Sequence, residues 1–198
     1  MPFNARVLVA GMTDVGRKRK HNEDSFTLVE DEKLFIVTDG MGGHASGEVA
    51  SKMAIETMTT FFRATTADPE ATWPYKMDKS MGYEENRLIT GIKLANRRIF
   101  EAAQTENKLN GMGTTIVVLF VIREGCLLGH VGDSRIYRLR EGVLDQLTEN
   151  RLTRRAGLSL GRIAQRRQFS FAQIKTGLPD AVQAECWFQK RGPQPCEA

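Results

Sequence analysis

Residues 114–122 are an uninterrupted β-branched and apolar stretch. Only Arg123-Glu124-Gly125 separates it from a second apolar stretch over 126–131. Such a run, bounded by turn residues, reads as a buried strand. A three-residue connection is far too short for a parallel crossover, so the two strands must pair antiparallel. The pattern recurs at once: residues 135–140 alternate through Ile136, Tyr137, Arg138 and Leu139 before turning at Glu141-Gly142. Whatever else the chain contains, it must accommodate an antiparallel sheet with a buried centre.

The rest of the pattern fills in around that sheet. Residues 6–12, 25–29 and 33–38 read as strands, the last two joined by the acidic turn Glu30-Asp31-Glu32. From Ala45 a helix is predicted, because Val49, Ala50, Met53, Ala54, Met58 and Phe61 recur at three- and four-residue steps. Ser46 is a candidate N-cap, and Glu48 suits the positive end of the helix dipole. A second helix is predicted over 84–103, with Leu88, Ile92, Ala95, Ile99 and Ala102 on one face. Two helices among many strands indicate a layered α+β domain. After Asn150 the apolar periodicity weakens and arginines multiply, so residues 1–149 read as a domain and 150–198 as a basic tail. Residues 191–196 carry the composition of a disordered end.

The charge divides the same way. Of 28 basic and 24 acidic residues, nine basic and three acidic ones lie beyond Asn150, so the body is mildly acidic and the basic excess is in the tail. Nothing in the body calls for nucleic acid as a partner. No apolar run is long enough to span a bilayer, and no signal peptide is evident. Cys126, Cys186 and Cys196 form no CxxC pair, which fits free thiols in a reducing compartment, and a cytoplasmic location is expected.

Chemistry concentrates in three turns. Asp39-Gly40-Met41-Gly42-Gly43-His44 follows the apolar run Leu34-Phe35-Ile36-Val37. A carboxylate at a strand end can bridge two cations through its two oxygens, and Gly40 lets its carbonyl approach a metal closely. Oxygen donors of this kind select hard divalent cations. Asn22-Glu23-Asp24 supplies adjacent acids. On a strand they point to opposite faces, so one faces the metal pocket and the other acts through water or from behind. Arg19 is a candidate phosphate ligand, because a guanidinium fork matches phosphate oxygens. In Gly132-Asp133-Ser134-Arg135, Asp133 either binds metal or caps the turn and pairs with Arg135. His44 is either a proton shuttle or a surface residue at the helix start.

Taken in order, Arg19-x-x-Asn22-Glu23-Asp24, Asp39-Gly40-Met41-Gly42-Gly43-His44, Gly113-Thr114-Thr115, His130-Val131-Gly132-Asp133-Ser134-Arg135 and Leu147-Thr148-Glu149 resemble the bacterial type 2C, metal-dependent serine/threonine protein phosphatases. The resemblance covers roughly residues 5–149. It implies an α-β-β-α sandwich, antiparallel sheets flanked by helices, with two Mg²⁺ or Mn²⁺ ions in a cleft. By this resemblance Asp39 would bridge both ions and the Gly40 carbonyl would bind one. Glu23 and Asp24 would hold the site directly or through waters, Arg19 would grip the substrate phosphate, and Asp133 would help hold a weaker third ion. The implied partners are phosphorylated proteins, substrates of serine/threonine kinases, acted on by a monomer. The family's later acidic elements, a Ser-Asp-Gly and an Asp-Asn pair, have no counterpart after residue 150, where the acids are Asp180, Glu185 and Glu197. The expected fold is therefore one whose C-terminal part is missing or altered, through truncation, frameshift or gene-prediction error. The alternative to an enzyme is a catalytically inactive module that binds phosphoproteins.

Overall fold

The computed structural model describes residues 6–42, 46–123, 125–148, 159–164, 169–174 and 183–189. Eleven strands, two α-helices and a short 3-10 helix (Asn107–Leu109) are present among them: β1 (Arg6–Met12), β2 (Asp24–Val29), β3 (Leu34–Met41), α1 (Ser46–Ala67), α2 (Tyr83–Thr105), β4 (Gly113–Thr114), β5 (Ile116–Ile122), β6 (Gly125–Val131), β7 (Arg135–Arg140), β8 (Val143–Gln146), β9 (Ser159–Ala164), β10 (Phe169–Ile174) and β11 (Gln183–Gln189). Two antiparallel sheets result. One runs β2-β3-β5-β6-β9, with β4 appended to β3, and the other runs β1-β11-β10-β7-β8. The expected α+β arrangement of antiparallel sheets with helices is the one found.

The β5–β6 hairpin explains its own composition. Alternate β5 residues Ile116, Val118, Phe120 and Ile122 join the core beneath the helices. Val117, Leu119 and Val121 join a second core with Phe35, Cys126, Leu128 and Ile136, against which Val7 and Val9 of β1 pack. A strand with apolar neighbours on both faces has no position for a polar residue, so alternation disappears. Burying side chains such as Met58 and Phe62, both fully enclosed, contributes about 1.5–3 kcal/mol each.

Both helices cover the first sheet. The α2 stripe is the predicted one, with Leu88, Ile92, Ala95 and Ile99 buried. In α1 the stripe is rotated: Ala50, Ala54, Met58 and Phe62 are buried, while Val49 is exposed and Phe61 only half-buried. Phe62 wins the core position because its ring meets Phe120 edge-on at 5.1 Å and lies under the Arg87 guanidinium at 4.3 Å. No described helix is long and apolar enough to cross a membrane.

Four strands have no counterpart in the sequence reading. The β8 strand is short and half polar, and is fixed by pairing with β7. Strands β9, β10 and β11 fall beyond residue 149, where the sequence suggested no element. They pair with β6, β7 and β1. Residues 191–196, read as a disordered end, lie outside the described residues.

Candidate metal centre

The carboxylates meet where β3 ends. Asp24, the first residue of β2, stands directly opposite Asp39 in the antiparallel register. The Asp39 backbone turns the other way: its N–H donates to Thr115 Oγ1 at 3.1 Å, and its carbonyl accepts from the Thr115 N–H at 2.9 Å. Asp24 and Asp39 therefore form a non-hydrogen-bonded pair, the kind in which opposed Cα atoms come within about 4.5 Å and the side chains lie closest. Like charges directly opposed across strands are destabilising. A divalent cation between them reverses the sign.

Asn22 sets up this pair. Its Oδ1 accepts the Asp24 N–H at 3.1 Å while its Nδ2 donates to Thr13 Oγ1 at 2.8 Å, so the turn before β2 is held from both sides. Glu23 precedes the strand rather than lying on it. Its carbonyl accepts the Gly40 N–H at 3.0 Å, and its Oε2 lies 3.4 Å from Nη1 of the half-exposed Arg19. Four of the predicted residues, Glu23, Asp24, Asp39 and Gly40, thus share one end of the β2–β3 hairpin, with Arg19 at its rim.

Gly40 is buried against the start of α1. A Cβ built there would lie 2.0 Å from the Gly47 carbonyl oxygen and 2.7 Å from that of Glu23. Gly47 repays the approach, since a Cβ on it would lie 2.6 Å from Glu23 Oε1. The two glycines let strand, helix and the Glu23 turn converge with no side chain between them.

Asp133 takes a different position. It is exposed on the turn after β6, and no ion pair joins it to Arg135, whose Nη1 donates to the Tyr137 hydroxyl at 3.3 Å. What links this turn to the hairpin is its neighbour Ser134, whose hydroxyl lies 2.8 Å from that of Thr115, the acceptor of the Asp39 N–H. Thr115 and Ser134 are thus positioning residues that the carboxylate pattern does not reveal. Both sit within the motifs that carry the resemblance, and that is the signal that could have found them. Among the described residues no three His, Cys, Asp or Glu side chains converge as a metal-binding group. Gly43, His44 and the late acids Asp180 and Glu197 lie outside the described residues, and Glu185 lies on β11.

A hard divalent cation fits what is present: two opposed carboxylates and a glycine cradle that a single methyl group would fill.

His130 lies just before the Asp133 turn and is 7% exposed, with no hydrogen-bond partner for Nε2 among the described residues. Burial pushes its pKa below the ordinary imidazole value. Backbone hydrogen bonding at Gly132 and Ser134 and the Asp133 charge act in the opposite direction. The unfolded chain therefore binds a proton that the folded chain resists. The stability this group supports is present above the unfolded imidazole value of about 6.5 and is lost as pH falls through it. Urea midpoints followed from about pH 8 to about pH 5 are expected to drop more steeply for the wild type than for His130→Gln. Parallel curves would refute this.

The Protein phosphatase 2C family model matches residues 15–180. The serine/threonine phosphatase stp of Listeria monocytogenes is 39% identical over 145 residues, which cover 70% of this chain and 52% of that protein. The serine/threonine protein phosphatase PstP of Mycobacterium tuberculosis is 35% identical over 141 residues, covering 71% of this chain and 24% of that protein. The chain spans about half the length of the first of these relatives. In three dimensions, the crystal structure of the Mycobacterium tuberculosis phosphatase PstP/Ppp superposes with a TM-score of 0.74 at 23% identity, covering 93% of this chain and 99% of that one. The PstP catalytic domain in complex with two manganese ions gives 0.72, at the same identity and coverage.

Proposed function

Because the chain belongs to the protein phosphatase 2C family, we propose that it is a metal-dependent serine/threonine protein phosphatase that hydrolyses phosphoserine and phosphothreonine with Mg²⁺ or Mn²⁺ as cofactor. The observation that carries this reading is the Asp24–Asp39 register pair beside the Gly40–Gly47 cradle. When bound, the ions supply a water of lowered pKa and neutralise charge on the transferring phosphoryl oxygens. Asp39 would hold two of them, with the Gly40 carbonyl, Asp24 and Glu23 completing the hairpin's share, and Asp133 would serve a weaker third.

The chain's own groups do the rest. The Asp39 carboxylate is held in place because its backbone is anchored on both sides to Thr115. Arg19 has one long contact to Glu23, which leaves guanidinium donors to grip the substrate phosphate from the solvent side. Substrates would be phosphoproteins made by serine/threonine kinases, met in the cytoplasm by a monomer.

The test is Mn²⁺-dependent hydrolysis of a phosphothreonine peptide by the intact chain, with a calorimetric Mn²⁺ titration alongside. Asp39→Asn is expected to lower turnover at least about 100-fold, the upper end of what even an indirect ligand partner costs, and to weaken Mn²⁺ binding in parallel. A wild-type chain that binds the peptide but never turns it over would make it a phosphoprotein-binding module instead.

A further inference from the structure

The loop from β1 to β2 carries five basic residues in a row, Arg17-Lys18-Arg19-Lys20-His21, and all five are exposed. It is tied down at both ends. Gly16 turns the chain at φ +74°, and its N–H donates to Asp14 Oδ1 at 2.7 Å. Asn22 closes the loop by donating to Thr13 Oγ1 at 2.8 Å, and its Oδ1 accepts the Asp24 N–H at 3.1 Å. One side chain therefore ties the base of a basic loop to a carboxylate of the metal centre.

The charge on this loop is not cancelled. Of the five, only Arg19 forms an ion pair with a described residue, the 3.4 Å contact to Glu23. Glu48 of α1, the acid that His21 faces, is already engaged by Lys52 at 2.6 Å. With Asp14 and Glu23 set against the two arginines and two lysines, two positive charges remain. They stand beside the group proposed to grip phosphate, since Lys18 and Lys20 are the sequence neighbours of Arg19. Lys20 is four residues from Asp24, so at most about 14 Å separates their Cα atoms. That is under two Debye lengths at physiological salt, about 8 Å each. An extended peptide advances about 3.3 Å per residue, so side chains two to four residues from a bound phosphothreonine lie about 7–13 Å from it, within the same range.

We infer that this loop selects among substrates: Arg17, Lys18 and Lys20 favour phosphoproteins with Asp or Glu within about four residues of the phosphorylated one. This rests on the phosphatase reading. Arg19 holds the phosphate, and its basic neighbours attract whatever acidic side chains flank it. Because these charges are exposed, they act through solvent. They raise the capture of acidic segments without reading a fixed sequence, and salt weakens them.

The test uses the intact chain in Mn²⁺ buffer and two short fluorescent peptides, with binding read by anisotropy. Each carries a non-hydrolysable phosphonate analogue of phosphothreonine, flanked by aspartates in one and by alanines in the other. The aspartate peptide is expected to bind about fivefold more tightly than the alanine peptide in about 50 mM salt, and less than about twofold more tightly in about 500 mM. This comparison needs no variant. Arg17→Gln/Lys18→Gln/Lys20→Gln, which keeps Arg19, is expected to bring the low-salt ratio below about twofold. Equal binding of the two peptides, a preference that survives in the variant or at high salt, or no binding at all would each overturn the loop's role. Hydrolysis of an ordinary phosphothreonine peptide by the same preparation separates the two readings. A salt-sensitive aspartate preference without hydrolysis overturns the catalytic reading alone, and hydrolysis without that preference overturns the loop's role alone.

Discussion

Gly40→Ala is expected to destabilise the chain by about 2–3 kcal/mol and to abolish Mn²⁺ binding at the hairpin end. The added methyl would meet the Gly47 carbonyl oxygen at 2.0 Å, the Gly47 carbonyl carbon at 2.4 Å and the Glu23 carbonyl at 2.7 Å. All three are backbone atoms, so no rotamer change relieves the clash. Either β3 withdraws from α1 or the Glu23 turn opens, and each movement carries Asp39 away from Asp24. Gly111→Ala is the matched control. Its φ of +76° makes a side chain cost about 1–2 kcal/mol, yet nothing lies within 4 Å of the new methyl. Both variants should lower the urea midpoint, and Gly40→Ala alone should lose the calorimetric Mn²⁺ signal. Retention of wild-type Mn²⁺ affinity in Gly40→Ala would remove the cradle from the account.

Arg87→Met is expected to cost about 3–5 kcal/mol, the usual result of stranding one member of a buried ion pair. Arg87 and Glu32 are each only 9% exposed at the side chain and lie 3.0 Å apart. The same guanidinium donates to Thr65 Oγ1 at 2.7 Å, Thr66 Oγ1 at 2.6 Å and the Phe62 carbonyl, and it stacks over the Phe62 ring. One side chain on α2 thereby clamps the end of α1 to the β2–β3 turn. Removing it leaves the Glu32 carboxylate buried with only the Thr66 hydroxyl at 2.7 Å. Adding Glu32→Gln to Arg87→Met should therefore recover part of the loss, because a neutral amide is cheaper to leave partly unpaired than a charge. A loss below about 1 kcal/mol, or a double variant weaker than the single, would show that the cluster is not the clamp. The loss would be a large share of the 5–15 kcal/mol typical of a domain.

These two predictions differ in how far the sequence foretold them. Gly40 is legible as part of an oxygen-donor turn, because Asp-Gly after an apolar strand is a local pattern with a local chemical meaning. That Gly47 is its counterpart is not legible, since it depends on how α1 crosses the end of β3. Glu32 reads as one acid in a surface turn, Glu30-Asp31-Glu32, and nothing local distinguishes it from its neighbours. Its burial follows from Arg87, 55 residues away. The rotated α1 stripe has the same origin: both Phe61 and Phe62 satisfy helical spacing, and the Phe120 ring decides between them.

The sequence by itself determined the antiparallel β5–β6 hairpin, the two helices, and the oxygen-donor character of the Asp39 turn. Each rests on periodicity, turn length or side-chain chemistry within a few residues. Only the tertiary structure decided that Asp24 faces Asp39 and that Thr115 and Ser134 brace that pair. Those facts depend on strand order and register, which long-range backbone pairing sets and which no short window of sequence encodes.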